Sequence, residues 1–131
     1  MSPAGSARDA TIFLKKATWY LESALANLDA GRFNPAVSDA VVSGINASDV
    51  VCIAATGAYA RTTEHSGALR QLQDAGDIGR RAAPLLGVLL PKKNDSQYRS
   101  LLNSRHEAQA AVDAAEQMLE LAREAIAGQR R

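Results

Sequence analysis

Between residues 108 and 126 the apolar side chains Ala108, Ala111, Val112, Ala115, Met118, Leu119, Ala122 and Ile126 recur three and four positions apart. That spacing lines one face of an α-helix and cannot line one face of a strand. Just ahead of it, Ser104-Arg105-His106-Glu107 has the form of a capping box, in which a serine and a glutamate three residues on satisfy each other's backbone N–H groups. The same arrangement opens the chain. Ser6 is followed three residues later by Asp9, and Ala10, Phe13, Ala17, Tyr20, Leu21, Ala24 and Leu28 then keep helical spacing up to a stop at Gly31. No stretch alternates apolar and polar residues as a half-buried strand would, and no repeat or low-complexity tract interrupts the pattern. The expected fold is all-α, an up-and-down helical bundle of about five helices.

The helices between these two follow from punctuation. Asn34 and Pro35 are expected to cap and open a second helix over about residues 36–59, apolar on most sides through Val37, Ala40, Val41, Val42, Ile45, Ala47, Val50, Val51, Ile53 and Ala54. Within it Asp39, Ser43, Asn46 and Asp49 share one sector, a polar stripe whose carboxylates need partners or an opening. A short helix over residues 64–75 ends at Gly76. The next, over residues 78–90, must kink or restart at Pro84 and stop at Pro91. Residues 6–127 form one domain, with 1–5 and 128–131 as flexible ends.

A chain of 131 residues can bury roughly two-thirds of its unfolded surface without metals or disulfides. Apolar residues supply 47% of it but aromatics only 5%, so small side chains dominate the core, which suits helices packed closely on helices. Cys52 is alone, so it forms no internal disulfide, and no Cys/His cluster offers a zinc site. No run approaches the roughly 18 apolar residues of a membrane span, and the first residues lack a signal pattern. A cytoplasmic protein that does not enter a membrane is expected. The formal charge of +1 requires that any polyanion be held by a local patch; Arg80-Arg81, Lys92-Lys93, Arg99, Arg105 and Arg130-Arg131 are the candidates, although such charges also simply solvate helix ends.

Several chemistries lack their residues. There is no Glu-x-x-His pair for a di-iron bundle, no glycine-rich phosphate loop and no Gly-x-Ser-x-Gly elbow, and no cofactor is implied. Only His65 and His106 are available for proton transfer near neutrality. His65, at the start of the third helix beside Glu64, reads as structural. His106 falls in the first turn of the last helix, where the dipole disfavours a cation and tolerates a neutral base.

The order of a long helix, an Asp-Ala-Gly-Arg-Phe-Asn-Pro-Ala turn, a helix containing Ala47-Ser48-Asp49, a Gly57, a His65, and then Lys93-Asn94-Asp95-Ser96-Gln97-Tyr98 before a capped Ala-rich helix resembles the HEPN family (higher eukaryotes and prokaryotes nucleotide-binding). The resemblance covers about residues 6–127, mostly through helical pattern. It implies a small helical bundle, usually a homodimer, and one of three activities: a metal-independent endoribonuclease of toxin–antitoxin or other defence systems, a non-catalytic RNA-binding module, or a partner of a nucleotidyltransferase. In the catalytic members an Arg followed by a polar residue steadies the scissile phosphate. A His four to six positions on moves the proton, and the motifs of two chains face each other across a cleft.

Two registers of that motif fit this sequence. In one, Lys93, Asn94 and Tyr98 take the three places just before the last helix, as in the family. Lysine keeps the charge without the bidentate fork, and a tyrosine with an ordinary pKa of about 10 is a poor base, so phosphate or nucleotide binding outlasts catalysis. In the other, Arg99 and His106 would be catalytic, with no polar residue after the Arg. Asp49 would pair with Lys93, and Arg105 would add a phosphate contact. The same stretch, Pro91 to Ser96, is also an ordinary turn-forming composition.

Overall fold

A computed structural model of the chain describes residues 4–59, 65–93 and 101–129. These residues form five helices: α1 (Ala7–Asp29), α2 (Phe33–Thr56), α3 (His65–Gln73), α4 (Gly76–Leu89) and α5 (Arg105–Gln129). Among them there is no strand, only an isolated bridge between Ala4 and Ala58. Both serine-led starts form as expected. Ser6 Oγ accepts the N–H of Asp9 while Asp9 takes the N–H of Ser6, and Ser104 and Glu107 repeat the exchange at 3.1 and 2.9 Å.

The start of α2 departs from expectation. It begins at Phe33, behind an Arg32 that offers no side-chain cap, and Asn34 is its second residue instead of its cap. The reason is tertiary: the Asn34 side-chain amide donates to Leu101 O at 2.7 Å, and its oxygen accepts from the backbone N (2.8 Å) and Nδ2 (3.1 Å) of Asn103. Pro35 lies in the first turn, where no intrahelical acceptor awaits its missing N–H. The helix ends at Gly57, whose φ of 75° is the left-handed conformation that closes many helices. In α4 the helix runs on through Pro84 instead of restarting there. Pro84 and Arg80 are both exposed, so the carbonyl that the proline deprives of a donor faces water.

The packing contacts fix the direction of each helix. Ser43 on α2 donates to Ala17 O on α1, and Gly5 N donates to Gly57 O, so α1 runs antiparallel to α2. Arg105 lies against Phe33, Met118 against Gly44, and Gln129 Nε2 on Ala54 O, so α5 runs parallel to α2 along its whole length. Arg81 meets Glu124 and Leu89 meets Gly44, which sets α4 antiparallel to both. The result is an up-down-up-down bundle with α2 and α5 as a central parallel pair. Helices α1 and α4 lie on either side of this pair without touching, and α3 packs on α4 and α2. Gly5 N bonds to Gly57 O, and the exposed Gln129 side chain bonds to Ala54 O.

Fully buried alanines (Ala36, Ala40 and Ala47 on α2; Ala108, Ala111, Ala115 and Ala122 on α5) let the central pair approach closely. Contrary to the sequence-based expectation, α2 is by length and composition apolar enough to cross a membrane, with a mean hydropathy of 1.4. Its burial among the other helices accounts for that composition, since 72% of the apolar window is enclosed.

Candidate functional site

The end of the bundle at which α2 and α5 begin gathers most of the described candidate residues. Arg105 is the first residue of α5, exposed, with its guanidinium 4.9 Å from the centroid of the Phe33 ring. Stacking on an aromatic face holds a guanidinium in place and leaves its N–H edge available to a phosphate. His106 follows, also exposed. Lys92 and Lys93 arrive at the same end from the C-terminus of α4, both partly buried, with Lys93 N donating to Leu90 O at 3.2 Å. Lys92 and His106 are near enough to Glu107 to help hold its carboxyl below the usual range. The larger causes are the backbone N–H and then the hydroxyl of Ser104, which commit Glu107 to its cap.

Asn34 and Asn103 brace this end. Their hydrogen bonds join the start of α2 to the segment that leads into α5, so the two helix N-termini, each with orphan N–H groups and the positive end of a dipole, lie side by side. A further chain of bonds runs from Arg32 Nε to Asn27 Oδ1 (2.9 Å), and from Asn27 Nδ2 to Asp39 Oδ2 (3.1 Å), which also accepts from Ser23 Oγ (2.6 Å). The Asp39 carboxylate thus finds its partners on α1. Neither Asn34 nor Phe33 stands out in sequence as a site residue; the compact Gly-Arg-Phe-Asn-Pro turn was the available signal.

Other expected members fall elsewhere. Asn94, Tyr98 and Arg99 lie outside the described residues, as do Arg130 and Arg131. Asp49 is buried at 9% exposure on α2, beyond Gly44 in the chain direction, whereas Lys93 follows Leu89, the residue that meets Gly44, on an antiparallel helix. They therefore sit on opposite sides of the Gly44 level. Burial first, then the Asp49 carboxylate, push the neighbouring Cys52 thiol up to about 12, against a hydrogen bond from Ser48 that works the other way. A thiol so held is inert as a nucleophile. Arg80 and Arg81 are at the far end of α4, roughly 18 Å from Lys92 at 1.5 Å per residue, and pair with Asp77 (3.7 Å) and Glu124 (3.2 Å). The basic residues thus divide between the two ends of the bundle.

Among the described residues no group of His, Cys, Asp and Glu side chains could hold a metal ion. No family model matches this sequence, and comparison with the curated proteins gives no match.

Proposed function

We propose that the chain is a HEPN-like domain, cytoplasmic, that binds RNA or a nucleotide at the end of the bundle where α2 and α5 begin, with a degenerate ribonuclease motif. The observation that supports it is the convergence of Lys92, Lys93 and Arg105, with His106 beside them, on two adjacent helix N-termini, a concentration of positive potential on a chain of nearly balanced charge. Lysines and a stacked arginine suit phosphate oxygens without sequence preference. The test is binding and cleavage of labelled RNA by the wild type, Lys93→Ala, Arg105→Ala and His106→Ala over a salt series. Each lysine or arginine variant should reduce the slope of log affinity against log salt by about one. Absence of any salt-dependent binding would overturn the reading. Cleavage abolished by His106→Ala would instead make the protein an active metal-independent endoribonuclease using Arg99 and His106.

A second reading is favoured by one feature of the same end. Leu102 is 89% exposed and Leu101 46%, directly before the α5 cap. Two adjacent bare leucines beside a basic patch suit a protein interface, such as one with a nucleotidyltransferase-type partner. A tight complex insensitive to salt and lost in Leu102→Asp would select it.

A further inference from the structure

Beside the cations of the α2–α5 end the chain holds an apolar side chain out in water. Leu102 is 89% exposed, yet both of its neighbours are anchored: Leu101 O accepts from Asn34 Nδ2 at 2.7 Å, and Asn103 N donates to Asn34 Oδ1 at 2.8 Å. A leucine on a slack loop would fold back onto the bundle; these bonds fix the backbone on either side of this one. Three residues on, Arg105 opens α5 with its guanidinium 4.9 Å from the centroid of the Phe33 ring. Phe33 and Asn34 are consecutive in the first turn of α2, so that one turn holds both the bare leucine and the stacked arginine.

Phosphate binding alone does not account for this pair. Lys92 and Lys93 supply charge for phosphate oxygens at the same end, and a leucine supplies none. Arg105 is exposed and, among the described residues, its guanidinium makes no ion pair; Phe33 covers one of its faces and the other meets solvent. A guanidinium is flat and weakly hydrated, so its outer face takes a second π-system as its inner face takes the phenyl ring. A ligand that carries a flat apolar face next to its phosphates would cover Leu102 and the outer face of Arg105 together. Nucleobases have that form. Within a duplex their faces are already stacked on one another, so the base that fits here is an unpaired one.

We infer that this end carries a subsite for one unpaired nucleobase, stacked on the outer face of the Arg105 guanidinium and against Leu102, with the adjoining phosphates on Lys92 and Lys93. The inference rests on the proposed binding of RNA or a nucleotide and adds where the base goes. The side chains of Asn34 and Asn103 are engaged with each other and with Leu101 O, so stacking holds the base and the subsite is tolerant of sequence.

The test compares three RNA probes of equal length on the full chain over a salt series: a short mixed-sequence single strand, the same ribose-phosphate strand without bases, and the duplex. The intact strand should bind roughly tenfold more tightly than the abasic one, which carries the same phosphates. Arg105→Lys keeps the charge and loses the flat face, so it should bring the two affinities together while the slope of log affinity against log salt stays as in the wild type. Leu102→Ser, at an exposed position, should narrow the same gap with the melting temperature unchanged. Equal, salt-dependent binding of the intact and abasic strands would overturn the inference and leave the proposed function standing, as would a preference for the intact strand that both variants retain. Tighter binding of the duplex would also overturn it. Loss of salt-dependent binding to all three probes would remove the proposed function and the subsite with it.

Discussion

The two ends of the central α2–α5 pair are built on different principles. Where these helices begin, side-chain amides, a stacked guanidinium and capping hydroxyls hold the chain together, and cations crowd the surface. Where they finish, a single side-chain hydrogen bond, Gln129 Nε2 to Ala54 O, joins α5 to α2, and α3 and α4 meet beside them by close backbone approach. Gly79 on α4 rests on the carbonyl of Leu72 and against Ala75. Beside it Val51, Ala54, Ala125 and Ile78 line a mostly apolar groove of about 340 Å³. Hydrogen-bonded joints can be exposed, adjusted and used to hold a ligand, whereas steric joints hold only one geometry. The proposed recognition belongs to the first end, and the α3–α4 joint gives the second its rigidity.

The contrast breaks most sharply at Gly79. A β-carbon there would run into a backbone carbonyl that cannot move aside, so Gly79→Val should cost about 3 kcal/mol, a fall in Tm on the order of 10 °C, with the proposed RNA binding unchanged below the transition. At the opposite end Asn34→Ala removes three hydrogen bonds at once. It should cost about 2 kcal/mol in a denaturant titration and, unlike the glycine variant, also weaken the proposed RNA binding of the folded protein. Ser104→Ala tests a single cap, and a loss of about 1 kcal/mol is expected by the same titration.

The remaining effects are in pH. The Glu107 carboxyl is held below its ordinary value in the folded chain, so its contribution is in place above the usual carboxylate range and is lost as pH falls through it; Glu107→Gln should flatten the acid limb of a stability profile. Cys52 acts at the other extreme. The unfolded thiol ionises near 9.0 and the folded one only near 12, so stability declines across that window, and Cys52→Ala should remove the decline.

Local signals were legible and distant ones were not. Both capping boxes could be seen in sequence because each closes within four residues, and the inward faces of α1 and α5 followed from spacing alone. Asn34 was misassigned for a physical reason. An asparagine before a proline is a good cap unless its amide is claimed elsewhere, and here Leu101 and Asn103, distant in sequence, claim it. Nothing in a linear pattern states that α2 and α5 run parallel, because that depends on how α1 and α4 fill the two grooves. The candidate site was legible as a set of cations but not as a place. Lys92 and Arg105 come together through the antiparallel run of α4 and α5, which also carries Arg80 and Arg81 to the other end.

Parallel neighbours cannot be joined by a short turn, and α2 is separated from its parallel partner by the whole of residues 57–104. Helices α1 and α2, linked by a tight bend at Gly31, can pair as soon as both exist. The face of α2 around Gly44 and Val51 must wait for α5, which is made after the other four helices. During synthesis the most apolar of the described helices therefore stands half-covered until α5 has been made. The interval before residues 105–129 emerge is when a nascent copy is most exposed to aggregation and has most need of a chaperone.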